Sequence, residues 1–489
     1  MATTLRSSSA RKADHLRINL AEDVSSDVAT GLDEFHFRHL ALPEMDLADV
    51  RLSSDFLDRR VAAPFLISCM TGGTEAARPI NRTLAAVAQR HGFALGLGSG
   101  RALLEQPELL STFDVRDLAP DAPLLANLGA VQLNRGLTVD DARRLVDLLR
   151  ADALVLHLNP LQESLQPSGD VQFGRLLERI ETLCRTLGVP VIAKEVGFGI
   201  SEPDAVRLAE AGVYAIDVAG AGGTSWSEVE RHRLTGPLQN VAAAFRGWGT
   251  PTADSLVQVR GRLPRLPLIA SGGIRNGIQA AVAVALGADL VGVAGPMLRA
   301  AARGEEAAGD LAAELVETLR RVMFCTGAAD LDALRHVPLS RDGSFRSESV
   351  EFELQTDQGP SFHDVTERVQ ASVARLGLFE GVVVVSSLHT TASVVVNEDE
   401  PLLHADFGRF LNRLVPRSGY EHDDLSRREA VPPDEPLNGH SHCQQLLLGQ
   451  TTVVPVARGR LRLGSWQRVF LVELDGSRLR RVRVQTIGR

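Results

Sequence analysis

The chain has 489 residues, of which 44% are hydrophobic and 23% charged, with a formal net charge of −9. That balance suits a globular protein of about two or three domains and speaks against a nucleic-acid binder. A polar stretch at residues 1–10, an apolar run at 280–298 broken by Asp289 and Pro296, and four cysteines without paired spacing argue against an export signal, a membrane span and a disulfide framework.

A reduced, cytoplasmic protein is therefore expected. Residues 1–50 are charged and lack a periodic core. Within them Arg11-Lys12-Ala-Asp14-His15 packs two cations and an imidazole into five residues. Either this is a solvated face or it is an anion clamp, one cation for each phosphate charge. Only Lys12 and Lys194 are lysines among the 52 basic residues. A lysine kept in so arginine-rich a chain marks a place that needs a compact ammonium rather than a guanidinium fork.

From residue 64 short apolar runs recur at 64–70, 94–99, 124–129, 153–159, 190–197, 215–222, 268–273 and 290–295, with amphipathic helical patterns such as 141–150, 174–187 and 202–211 between most of them. Eight strand–helix alternations predict an α/β fold, a (β/α)8 TIM barrel over residues 1–340. The runs are nearly continuous, as parallel strands buried on both faces require. The run at 280–298 then reads as helix followed by strand. Segment 225–262 is long for a βα loop and reads as a lid, a subunit contact or a surface helix pair.

Such barrels build their sites where strands end. The run at 153–156 turns abruptly polar in His157-Leu-Asn159-Pro-Leu-Gln162-Glu163, which holds an imidazole, two amides and a possible metal-binding carboxylate. The other strand ends give Met70-Thr71-Gly72-Gly73, Gly98-Ser99-Gly100-Arg101, Asn127, Lys194-Glu195, Gly222-Gly-Thr224-Ser-Trp226, Ser271-Gly272-Gly273-Ile274-Arg275-Asn-Gly277 and Ala294-Gly295. Gly272 and Gly273, with Ala294-Gly295 one strand later, suit a phosphate cradle. Lys194 at the end of the fifth strand suits the electron-rich edge of a reduced flavin. Together they point to FMN.

These motifs over residues about 8 to 338 resemble type 2 isopentenyl-diphosphate delta-isomerase, an FMN-dependent family. The resemblance implies conversion of isopentenyl diphosphate to dimethylallyl diphosphate, with NADPH as reductant and Mg2+ on the diphosphate. It implies catalytic roles for Gln162, His157 and Lys194. It places Arg11, Lys12, His15, Ser99, Gly100, Arg101, Asn159, Gln162 and Trp226 around substrate. Around the flavin it places Met70, Thr71, Gly72, Ser99, Asn127, Lys194, Thr224, Gly272, Gly273, Ile274, Arg275, Ala294 and Gly295, and on Mg2+ it places Glu163. The chain departs from the family at Gly100, where glutamine is usual, and at Ala219, where serine is frequent. The rival reading is an FMN-dependent 2-hydroxy acid oxidoreductase with a non-catalytic oligomerisation domain; no motif for its acid/base dyad is visible.

Past Val337 the composition changes. Residues 341–348 read as a linker, 362–376 as a helix with Val365, Val369 and Val373 on one face, and 382–385, 451–456, 460–463, 468–473 and 480–487 as strands. A smaller, mainly antiparallel β (α+β) domain over 350–489 is expected. Arg478, Arg480, Arg481 and Arg483 read as the solvent face of the last strand. His440-Ser-His442 in a strand would share one face. With His389, His422 and nearby carboxylates they suit a Zn2+-type site or a hydrogen-bonded pocket without metal. His389-Thr-Thr-Ala392, Asn397-Glu398, Tyr420-Glu-His422, Asn438 to His442 and Leu463-Gly-Ser-Trp-Gln467 with Glu473 resemble the YjbQ-like family. That resemblance implies a secondary thiamine-phosphate synthase activity and a trimer, and hence a homo-oligomer; from their clustering, His389, His422 and His442 are the candidates for one metal site.

Overall fold

The computed structural model describes residues 8–342 and 346–488. Most of the polar stretch at 1–10 and the middle of the expected linker at 341–348 lie outside the described residues. The chain divides into two compact units, Met1–Asp342 and Gly343–Arg489.

All eight expected barrel strands are present: β1 (Phe65–Ile67), β2 (Ala94–Gly96), β3 (Leu124–Gly129), β4 (Ala153–Leu158), β5 (Val191–Glu195), β6 (Ala215–Asp217), β7 (Leu268–Ala270) and β8 (Leu290–Val293). They pair in parallel and close between β6 and β7. Most are shorter than their apolar runs, because the last residues of each run leave the ladder to build the mouth.

One residue near the start of every strand joins a single buried cluster: Leu66, Ala94, Leu125, Ala153, Ile192, Ala215, Ile269 and Leu290. Val155 of β4 and Phe56, Leu57 and Val61 complete it, the last three from a hairpin of Ser54–Phe56 with Arg59–Val61. Burying each large side chain there contributes about 1.5–3 kcal/mol. The hairpin thereby seals the amino end of the barrel, leaving the carboxyl end for polar groups. The run at 280–298 is the expected helix then strand, Gly277–Ala285 followed by β8. Segment 225–262 holds three helices, Trp226–Arg231, Pro237–Ala244 and Thr252–Arg262. Among the described residues no helix is long and apolar enough to cross a membrane.

The second unit has two antiparallel sheets. The larger orders β9 (Arg346–Gln355), β16 (Leu479–Gly488), β11 (Glu380–Ser387), β13 (Thr451–Ala457) and β14 (Arg460–Leu461). The smaller orders β10 (Ser361–Asp364), β15 (Gln467–Glu473) and β12 (Ala392–Glu398). Val369 and Val373 of helix Thr366–Arg375 pack with Val383, Val394, Leu471, Val482 and Val484 in one core.

Four expectations are corrected here. Residues 346–348 are not linker but the start of β9, a long edge strand whose outward face is charged. The segment 362–376 is not all helix: Phe362 sits in β10 opposite Val472, its ring edge-on to Phe470, and the helix begins at Thr366. His440 and His442 lie on helix Gly439–Leu448, not a strand. Residues two apart on a helix point about 200° from each other, so the two rings do not share a face. Arg480 is not on the solvent face. It is 3% exposed, because the alternation of β16 puts it on the same side as buried Val482 and Val484.

Candidate active site

The mouth of the barrel holds a cavity of about 490 Å³, within the range of small-molecule sites. All barrel residues expected at the site line it except Gly100. Gly100 is buried instead against helix Val139–Leu149: a Cβ there would lie 2.5 Å from Leu145 Cδ1. Glutamine at this position would need Leu145 to move, so glycine here permits close packing against that helix. Ala219, the other departure, does line the cavity, at φ +38°.

Helix Ser8–Ala21 brings the anion clamp to the cavity. Arg11 Nη1 donates to Gln166 Oε1 at 2.9 Å, and Lys12 Nζ to the Ser99 carbonyl at 2.7 Å. Burial, with Arg11 and Arg101 alongside and Glu105 opposing, lowers the Lys12 ammonium to a pKa of about 8. His15 stacks edge-on against Trp226, ring centres 5.2 Å apart, with its Nε2 2.9 Å from Glu230 Oε1.

Glu230 is the residue that sequence reasoning missed. Wholly buried, it stands behind the cavity wall, and its Oε1 also accepts from Gln162 Nε2 at 3.1 Å and Gln166 Nε2 at 2.9 Å. Arg233 Nη1 donates to Oε2 at 2.5 Å. Burial raises its pKa, but His15, Arg233 and Gln162 outweigh that and hold the carboxyl below its ordinary value. In sequence it lies in a run of alternating charge that reads as a solvated helix face.

The polar end of β4 forms one network. His157 Nδ1 is 2.7 Å from Asn127 Oδ1; burial and the Lys194, Lys12 and Arg11 charges lower its pKa to about 4, so the ring is neutral at pH 7. Asn159 Nδ2 donates to Gln162 Oε1 and to Glu163 Oε1, both at 3.0 Å. Glu163 Oε2 accepts the Asp170 N–H at 2.7 Å. Asn159 Oδ1 is buried without a hydrogen-bond partner. An orphaned amide oxygen beside a carboxylate is a hard-oxygen donor set that fits Mg2+.

Lys194 ends β5. Its Nζ donates to the Glu195 carbonyl at 2.9 Å and lies 3.3 Å from Asp217 Oδ2 and 3.4 Å from Ser271 Oγ. Gly272 (φ +105°) and Gly273 (φ +75°) take left-handed backbone, and a Cβ would fall 2.1 Å from the Gly220 oxygen or 2.4 Å from that of Gly222. Only glycine fits both, which leaves bare main chain at the cavity beside the start of helix Gly295–Arg303. The first N–H groups of a helix have no partner within it, so this corner fits a phosphate, and Lys194 supplies a cation for a reduced ring. The residues present therefore fit FMN.

The second unit gathers its polar groups differently. The His422 and His442 rings meet at 4.8 Å, and His422 Nε2 is buried without a partner. His389 Nε2 instead accepts the Arg481 N–H at 2.8 Å. Among the described residues no three histidines, cysteines or carboxylates are arranged to hold a metal. The expected three-histidine zinc site is thus not assembled, because one of its nitrogens is spent on the backbone of β16. Arg480 forms a buried double contact with Glu473, which also accepts from Thr356 Oγ1 at 2.8 Å.

Comparison with known proteins agrees with this geometry. Residues 140–341 match the FMN-dependent dehydrogenase family, and residues 350–489 the UPF0047 protein YjbQ-like family. An isopentenyl-diphosphate delta-isomerase of Synechococcus is 56% identical over 327 residues, 66% of this chain and 94% of that enzyme. One of Nostoc is 52% identical over 67% of this chain and 94% of that enzyme. A solved YbjQ-like protein of unknown function from Sulfolobus solfataricus is 29% identical, with a TM-score of 0.27, and covers 30% of this chain and all of its own. Through its barrel the chain belongs to the isopentenyl-diphosphate delta-isomerase family, and it ends in a YjbQ-like domain.

Proposed function

We propose that the barrel converts isopentenyl diphosphate to dimethylallyl diphosphate with FMN bound at its mouth. One observation carries this reading: a single cavity is lined by the bare Gly272-Gly273 main chain, by the Arg11, Lys12 and Arg101 cations and by the Gln162 amide, which donates to Glu230. The reaction is an allylic proton shift: a proton is added at C4 and one is lost from C2, with no net change in oxidation state. Reduced by NADPH, FMN would supply an electron-rich ring beside the cationic transition state.

The chain's own residues do the rest. Arg11, Lys12 and Arg101 would neutralise the diphosphate, and Glu163 with Asn159 would hold Mg2+ for its binding. Gln162, fixed at both ends of its amide, handles a proton beside the ring. Neutral His157 and Asn159 orient the substrate, and Trp226 covers it with His15. Lys194, held in place by Asp217 and Ser271, would balance the negative edge of the ring.

The YjbQ-like resemblance implies a homo-oligomer, which sedimentation of the full chain tests. For the second unit, the edge-on contact of the His422 and His442 rings supports an acid/base role in the thiamine-phosphate synthesis its resemblance implies. Thiamine phosphate formed by the full chain and lost in His442→Ala is the expected result. For the barrel, the test is isomer formation from isopentenyl diphosphate by the FMN-loaded chain with and without reductant; reductant-dependent formation of dimethylallyl diphosphate is expected.

A further inference from the structure

One carboxylate that this chemistry does not use is Asp170, in the loop after helix Pro160–Leu165. Its Oδ2 accepts from Arg101 Nη1 at 3.1 Å and from Gln132 Nε2 at 2.9 Å. Its Oδ1 lies 3.0 Å from Arg135 Nε, and its own N–H donates to Glu163 Oε2 at 2.7 Å. Arg101 follows β2, Gln132 and Arg135 follow β3, and Glu163 follows β4. Arg101, Gln132 and Glu163 line the cavity; Asp170 stands behind them, its side chain 13% exposed. One residue therefore ties three successive strand ends together.

The backbone is built for this contact. A Cβ at Gly169 would lie 1.8 Å from the Glu163 carbonyl oxygen. Glycine at 169 lets the loop press against the end of the helix, so that the next N–H reaches the Glu163 carboxylate. The side chain of Asp170 then meets the guanidinium. A free arginine on a long stem would lose rotamer freedom on meeting a phosphate; one already held loses less.

We infer that Asp170 is a positioning residue that fixes the Arg101 guanidinium and the Glu163 carboxylate at one spacing, so that the site selects a magnesium-bound diphosphate over a single phosphate. The inference rests on the reading of this cavity as a magnesium–diphosphate site. Asp170 touches no substrate. It acts through Arg101 by charge and through Glu163 by its main chain.

The test uses the FMN-loaded full chain and titrates it with Mg2+–pyrophosphate and, separately, with inorganic phosphate. Asp170→Asn is expected to weaken pyrophosphate binding about tenfold, leaving phosphate binding and flavin content unchanged. KM for isopentenyl diphosphate rises to match while kcat changes by less than about threefold. Asp170→Glu, which keeps the charge, restores part of the loss. Because Asp170 acts through Arg101, Arg101→Ala combined with Asp170→Asn is no weaker than Arg101→Ala alone. Unchanged pyrophosphate binding in Asp170→Asn, additive losses in the double variant, or a loss in kcat alone overturns the assignment. Should Asp170→Asn lose its flavin, the comparison passes to Asp170→Glu, and no recovery there also counts against it. A wild-type chain that binds no pyrophosphate and makes no isomer overturns the parent reading and this one together; wild-type binding with an indifferent variant overturns only the role of Asp170.

Discussion

The barrel mouth and the histidine-rich part of the second unit look alike in sequence: both crowd imidazoles, amides and carboxylates into short stretches. In three dimensions they differ. At the mouth, groups from helix Ser8–Ala21, from Trp226–Arg231 and from the ends of the strands converge on one cavity, and buried atoms such as Asn159 Oδ1 remain without partners. In the second unit His389 is spent on the Arg481 backbone and Arg480 on Glu473. Although His422 Nε2, His440 Nδ1 and the Gln444 amide are also buried without partners, no three histidines, cysteines or carboxylates among the described residues are arranged to hold a metal. Clustering in sequence is a weak sign of a site. Convergence from separate elements onto one cavity is a stronger one.

The sharpest way to break this contrast is to show that the buried pair of the second unit is dispensable. Arg480→Ala leaves Glu473 buried and unpaired, and should cost about 3–5 kcal/mol of stability. Urea unfolding of the full chain, monitored for the second unit, checks this; a midpoint equal to wild type would make the pair incidental.

The next effect belongs to the barrel. Lys194→Arg keeps the charge but adds bulk where Asp217 and Ser271 already crowd the ammonium. Turnover should fall about 100-fold, with flavin lost from the purified chain. Visible absorbance together with isomerase assays decides, and full retention of both would remove Lys194 from the mechanism. A smaller shift is expected for Glu163→Gln. The amide keeps the shape but not the anionic oxygen, so the Mg2+ concentration for half-activation should rise roughly tenfold while FMN binding holds. An unaltered magnesium requirement would move the metal elsewhere.

How far these contrasts were legible depends on which forces shaped each segment. All eight barrel strands could be read because strands covered on both faces are continuous apolar runs, and the polar break after β4 announced the site. Glu230 could not, since its partners His15, Gln162 and Gln166 arrive from distant parts of the chain. The packing of Gly100 was not legible either, because a packing glycine and a loop glycine look the same until Leu145 is seen against it. In the second unit β9 was hidden by its charged outward face. Arg480 was recoverable: counting back by twos from Val484 and Val482 puts it inward.

The smallest expected effect is one of pH. Lys12 is charged below its lowered pKa of about 8 and neutral above it. KM for isopentenyl diphosphate should therefore be flat below pH 8 and rise above it, by less than about tenfold. Lys12→Arg should flatten the profile, since a guanidinium stays charged. A rise that persists in that variant would belong to another group.

The central claim is that the mouth of the barrel uses FMN for a reaction with no net oxidation. Its most direct measurement is the visible spectrum of the purified full chain, followed while isopentenyl diphosphate is added to the reduced protein under anaerobic conditions and products are counted. The account predicts a bound flavin, many turnovers to dimethylallyl diphosphate for each equivalent of reductant, and no product from the oxidised protein. A flavin bleached stoichiometrically by a small 2-hydroxy acid, with isopentenyl diphosphate left untouched, would contradict it.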